Sequence, residues 1–214
     1  MQREADVSLT LYLVRHGETV YNVERRLQGW CDSPLTPDGA AGVRATASDL
    51  AHHRFTAAYT SPSERAVLTA TQILAHHLTI PLVEDPDLRE FGFGELEARP
   101  ESDLLVRLDP YRMFVDIVGG SFAGFPGGER GPHFRSRVLR ALGRIERAHP
   151  GGEVLVVSHC LTLLAYLTMV DPTLMSPPAN AGVSVVQVAG DGSRRIVTAS
   201  LTPEYREVHA AAVR

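Results

Sequence analysis

Three short apolar runs, at residues 10–14, 57–60 and 154–157, each lead into a pattern of helical period. A run of four or five residues with no polar face is buried on both sides, as strands of a parallel sheet are. Strands alternating with helices stack into an α/β three-layer sandwich, with a mostly parallel central sheet and helices on both faces. Two later runs, at 182–188 and 195–200, flank Gly190-Asp191-Gly192 and read as an antiparallel hairpin at the sheet's edge. With 214 residues the chain has room for one domain, spanning 1–214.

The helices carry their own punctuation. Thr36-Pro37 reads as N-cap and first helical residue, with Val43, Ala47 and Leu50 on one face. Ser61-Pro62-Ser63-Glu64 reads as a capping box with proline at the first position, ahead of Ala66, Ala70, Ile73 and Leu74. Residues 101–118 read as one helix, with Leu104, Leu105, Leu108 and Val115 among its apolar positions. Residues 119–131 hold six glycines and a proline, a composition that often forms a mobile cover. Together these suggest a helical and glycine-rich lid insertion at about 96–132. The helix at 133–149 buries Phe134, Val138, Leu142 and Ile145 and is expected to expose Arg135, Arg137, Arg140, Arg144 and Arg147. The last dozen residues read as a surface tail.

In open α/β sheets ligands bind beyond the carboxyl ends of the strands, so the residues after each run carry the interest. After the first come Arg15, His16, Gly17, Glu18 and Thr19. Ser61 and Arg65 follow the second, and Ser158, His159 and Cys160 the third. Two histidines and two arginines thus converge on one rim. Arginine forks and helix N-termini suit the charge of a phosphoryl group in transfer. A neutral imidazole can carry that group covalently, and a second, protonated histidine can help hold the anion. Glu90, with apolar neighbours to raise its pKa, can give and take the proton.

Other classes of function recede. A net charge of −4 speaks against nucleic acid. Residues 154–170 carry His159 and split into a β-branched half and a leucine-rich half, so a strand followed by a helix explains them better than a membrane span. Cys31 and Cys160 offer no disulfide framework, and the N-terminal residues lack a signal-peptide pattern; both fit the cytoplasm. The pairs His52-His53 and His76-His77 lack the spacing of metal ligands, so no metal is expected. A homodimer through an edge strand is open.

The motifs L-V-R-H-G-E-T with Asn22, then Gln28-Gly29, S-P-S-E-R-A, L-R-E followed by F-G, P-G-G-E and V-S-H come in one order from Leu11 to about Asn180. In that order they resemble the histidine phosphatase superfamily, the phosphoglycerate mutase-like family. The resemblance implies that His16 is phosphorylated, that Arg15, Arg65 and His159 hold the phosphate with help from Asn22, and that Glu90 donates the proton. Thr19, Gln28, Gly29 and Cys160 complete the expected binding pocket, and no metal or cofactor is implied. Cys160 stands where the family usually has glycine, and Arg130 where serine usually follows G-G-E.

The expected activity is hydrolysis of a small phosphorylated metabolite. A cofactor-dependent phosphoglycerate mutase and a catalytically weak phosphate-binding module are the alternatives. Mutases of this type usually carry an arginine after the catalytic glutamate and an Arg-Arg pair in the insertion. Here Phe91 follows Glu90, no such pair lies between Leu96 and Gly128, and Phe91 and Phe93 suggest a less charged pocket.

Overall fold

Each apolar run becomes a strand whose alternate residues serve opposite faces. In the computed structural model, which describes residues 8–105 and 109–200, six strands form one sheet. They are β1 (Leu9–Arg15), β2 (Phe55–Thr60), β3 (Leu82–Glu84), β4 (Gly152–Ser158), β5 (Val183–Val188) and β6 (Arg194–Thr198), in the spatial order β3-β2-β4-β1-β5-β6. The first four in that order run parallel, β5 pairs antiparallel with β1, and β6 closes the expected edge hairpin. Leu11, Leu13, Val154 and Val156 point to one face; Tyr12, Val14, Leu155 and Val157 point to the other.

Helices α2 (Pro37–Leu50) and α3 (Glu64–Leu74) cover the second face, through Ala47, Leu50, Ala66, Ala70 and Ile73. The first face is covered by α5 (Pro110–Gly119), α6 (Gly131–Ala148) and α7 (Cys160–Val170). Two short helices, α1 (Val20–Val23) and α4 (Ser102–Leu105), border the carboxyl ends of the strands. The 154–170 stretch is thus β4 plus α7, and among the described residues no helix is long and apolar enough to cross a membrane.

Four local expectations need correction. The capping box does not form at Ser61: α3 starts at Glu64 after Ser63, which makes no side-chain cap, and the Ser61 hydroxyl pairs with His159 instead. The helix start does without a serine cap because the Asp32 carboxylate accepts the Glu64 N–H at 2.9 Å. Residues 101–118 are two helices, because Asp109 caps the N–H groups of Tyr111 and Arg112 and Pro110 begins a new helix. Leu108, the side chain of Leu105 and the C-terminal tail lie outside the described residues. Phe91 is fully buried rather than at the pocket, meeting Phe93, Phe122, Phe125 and Phe134 mostly edge-to-face.

The fourth concerns Arg137, which is buried instead of exposed. Its guanidinium makes a two-pronged pair with Glu129 at 2.7 Å on each prong, and donates to the carbonyls of Asp87, Arg89 and Glu90. This pair fastens the glycine-rich segment to α6 and to the loop bearing Glu90. Further along the segment, the N–H groups of Glu95 and Glu129 reach the carbonyls of Pro126 and Gly92. Arg140 and Arg144 remain at the surface, paired with Asp87 and Asp85.

Removing one partner of a buried pair strands the other charge. Arg137→Met should therefore cost about 3–5 kcal/mol in urea unfolding. Adding Glu129→Leu should recover part of that loss; equal stability of both single variants and the native chain would show that the pair anchors nothing.

Candidate active site

His16 leaves the end of β1 with its backbone N–H on the Ser158 carbonyl of β4, at 3.0 Å. Its ring is buried, and Nδ1 lies 2.8 Å from the carbonyl of Gly17. A carbonyl only accepts, so the proton sits on Nδ1 and the lone pair on Nε2. The Nε–H of Arg65 points at that lone pair from 3.3 Å. Gly17 permits the tight passage: a Cβ there would lie 2.6 Å from Val43 and 3.0 Å from the Gly39 carbonyl. Burial, followed by the charges of Arg65 and Arg15, holds the His16 pKa well below the ordinary imidazole value. His16 is therefore a neutral base at neutral pH.

Arg65 sits in the first turn of α3, and its side chain has no exposed surface. Besides His16 it donates to the carbonyls of Gly29 (2.8 Å), Cys31 (2.9 Å) and Gln28 (3.4 Å) and to Asp32 (2.7 Å). The loop that presents those carbonyls is itself held by Glu97, whose carboxylate accepts the N–H groups of Gly29, Trp30, Cys31 and Phe93. Burial alone would raise the Glu97 pKa; the Cys31 thiol and these N–H groups outweigh it and lower it. Gly29 is obligatory in this clasp, since a Cβ would lie 2.2 Å from the Phe91 carbonyl.

His159 follows β4 and is fully buried beside His16, ring centres 5.2 Å apart. Its Nε2 pairs with Ser61 Oγ at 2.7 Å, while Nδ1 has no partner. Burial first, then Arg65 and His16, push its pKa well below the ordinary value, so the protonated histidine expected from the sequence is a neutral one here.

Glu90 approaches from the loop after β3. Its carboxylate accepts the N–H groups of Leu161 (3.0 Å), Thr162 (3.2 Å) and Phe91 (2.9 Å), at the start of α7. Burial raises its pKa; the Leu161 and Phe91 N–H groups, Arg65 and Arg15 pull the other way without winning.

These residues surround a cavity of about 730 Å³. Arg15, His16, Asn22, Gln28, Glu90 and Cys160 are in its wall, whereas Arg65, His159, Thr19 and Gly29 are not. Arg15 spends one N–H on the Pro178 carbonyl, and its Nε is buried without a partner. Asn22 caps α1 together with Thr19 and accepts from Asn180, which also donates to the His16 carbonyl. Thr19 turns its hydroxyl to Gln28 at 2.7 Å. Burial pushes the Cys160 thiol up to about 11, so it stays protonated. Asn180, Asp32 and Glu97 went unnoticed in the sequence, because their partners, Phe93 apart, lie 32 to 164 residues away. Among the described residues no group of three His, Cys, Asp or Glu could hold a metal ion.

The arrangement offers a neutral nucleophilic nitrogen, a guanidinium with an unspent donor, and a carboxyl group inclined to keep its proton, all at the rim where three strands end. The chain and its fold resemble those of known proteins. Residues 11–200 match the histidine phosphatase superfamily (branch 1). A protein from Yersinia pestis described as a probable phosphoglycerate mutase is 35% identical over 173 residues, covering 81% of this chain and 78% of its own. The solved structure of Bacillus stearothermophilus YhfR superposes with a TM-score of 0.77 at 32% identity, over 91% of this chain and 98% of that one. The α-ribazole phosphatase from Shigella flexneri shares the fold, with a TM-score of 0.76 at 24% identity over 89% and 96% of the two chains. This chain belongs to the histidine phosphatase superfamily, whose enzymes are phosphatases or mutases.

Proposed function

We propose that the chain hydrolyses phosphomonoesters by way of a phosphohistidine at Nε2 of His16. The observation that carries this reading is the contact that fixes the His16 tautomer: the Gly17 carbonyl accepts the Nδ1–H, so the lone pair of Nε2 is the one that can attack phosphorus. In the first step Nε2 bonds to phosphorus and the ester P–O bond breaks. The proton of Glu90 goes to the departing alkoxide, and Nδ1–H on the Gly17 carbonyl steadies the charged ring. In the second step water attacks phosphorus, returns a proton to Glu90 and frees Nε2. Arg15 meets the phosphoryl oxygens with its unspent donors, and the Arg65 Nε–H, which rests on the Nε2 lone pair of His16, passes to a phosphoryl oxygen as that lone pair bonds to phosphorus.

A mutase reading has support in the name of the Yersinia pestis relative. It requires the pocket to hold a second anionic group on the substrate. Of the arginines in the wall, Arg26 is spent on Glu24 and the Ala98 carbonyl, which leaves Arg25 at the rim besides Arg15. Glu18, Glu24 and Glu101 share that wall. This balance favours transfer to water.

With EDTA present, the protein should release phosphate from p-nitrophenyl phosphate, and His16→Ala should lower the rate about ten-thousandfold or more. Quenching with alkaline detergent during turnover should trap a phosphoprotein, stable to base and labile to acid, in the native chain only. Rapid interconversion of 3- and 2-phosphoglycerate with little phosphate released would replace this reading by the mutase.

The pH profile follows from the two shifted groups. His16 loses its proton below the usual imidazole range, so the acidic limb of kcat/KM lies below about pH 6.5. Glu90 keeps its proton above the usual carboxyl range, and the alkaline limb marks its loss. Glu90→Gln should remove the alkaline limb and slow alkyl phosphates by about 10²–10⁴-fold, with a much smaller effect on p-nitrophenyl phosphate, whose leaving group needs no proton. An unchanged alkaline limb would assign the proton to another group.

A further inference from the structure

The cavity above His16 has a charged rim, with Glu18, Glu24, Arg25, Arg26 and Glu101, and two further kinds of wall. At one end stand Arg15, His16, Asn22 and Glu90. Leu27, Phe93, Leu104, Met113, Phe114 and Ile117 form another part, and every one of them belongs to, or packs against, the hydrophobic cluster that fills the first face of the sheet. The core itself therefore surfaces inside the pocket. Leu104, Met113, Phe114 and Ile117 come from α4 and α5, both inside the insertion. None of these six side chains carries an ionisable group.

Size points the same way. A volume of about 730 Å³ lies within the range of sites that enclose drug-sized ligands, far beyond a phosphate with two or three carbons. Water left against the partly buried Met113 and Phe114, and against the small exposed parts of Leu27, Phe93 and Leu104, is displaced favourably by carbon, not by hydroxyl or carboxylate. Met113, unbranched and partly buried, can adapt to more than one shape of alcohol.

Resting on the hydrolase reading, we infer that the substrates are phosphomonoesters of bulky apolar alcohols, with chains or rings of about six carbons or more. The phosphate meets Arg15 and His16, and the hydrocarbon lies on the wall supplied by α4 and α5. Three-carbon phosphoglycerates leave that wall wet and are poor substrates.

The n-alkyl monophosphates test this cleanly, because ethyl to octyl esters share one leaving-group basicity and differ only in buried carbon. Each methylene placed on the wall should raise kcat/KM by up to about fourfold, so the four that separate hexyl from ethyl phosphate should favour hexyl by up to about 250-fold. Glycerol 3-phosphate should resemble ethyl phosphate. Met113→Glu should collapse the hexyl-to-ethyl ratio. A flat series with phosphate release that still depends on His16 would overturn the apolar substrate while leaving the hydrolase intact. The matching alkylphosphonates, which cannot be hydrolysed, test the wall without turnover: calorimetric Kd should tighten with chain length. If no ester is hydrolysed but the phosphonates tighten, the hydrolase reading fails and the apolar wall stands; affinities independent of length overturn the wall.

Discussion

Arg65 has no side-chain surface in contact with solvent, and a guanidinium cannot shed its proton to escape burial. It must therefore be surrounded by acceptors, and the structure around it is arranged to supply them. Three carbonyls of the 28–31 loop and the carboxylate of Asp32 take most of its donors, leaving Nε–H for His16. The loop can turn its carbonyls inward only because its N–H groups have somewhere else to go, which is Glu97. One buried cation thus links α3, the loop after α1, the loop after β3 and the nucleophile.

The same logic of forced neighbours governs Glu90. Its carboxylate lies over the first turn of α7, where free N–H groups favour the ionised form, while its burial favours the neutral one. Burial is the stronger of the two effects, so the carboxyl group holds its proton more tightly than a free glutamate does. Its backbone carbonyl is held by Trp30 and Arg137, so the carboxyl group has little room to wander.

Much of this was legible in the sequence where the signal is local. Five of the six strands, the edge hairpin and the α2 cap at Thr36 follow from periodicity and from side chains two or three residues away from their partners; β3, three residues long, was too short to show a pattern. Strand ends and motif order singled out His16, Glu90 and Arg15, which the structure brings to one cavity wall. Ser61 was misread because a capping pattern is scored on neighbours, whereas its hydroxyl answers to His159, 98 residues on. Arg137 was taken for a surface residue on a helix full of arginines; nothing in that helix reveals that Glu129 is folded back onto it. The break at Asp109-Pro110 did carry a local signal, overshadowed by the apolar stripe on either side.

The groups assigned to the proposed chemistry come from strand ends and the adjoining loops, at 15–16, 65, 90 and 159. Much of the apolar wall comes from a different stretch, α4 and α5. The two share a cavity but few supports: Arg65, Glu97 and the start of α7 fix the first set, and packing against the core fixes the second. Engine and mould are thus separable parts. Exchanging residues 102–119 for another amphipathic pair of helices would reshape what fits above His16 without touching a hydrogen bond of the nucleophile, which makes this scaffold a natural host for grafted specificities.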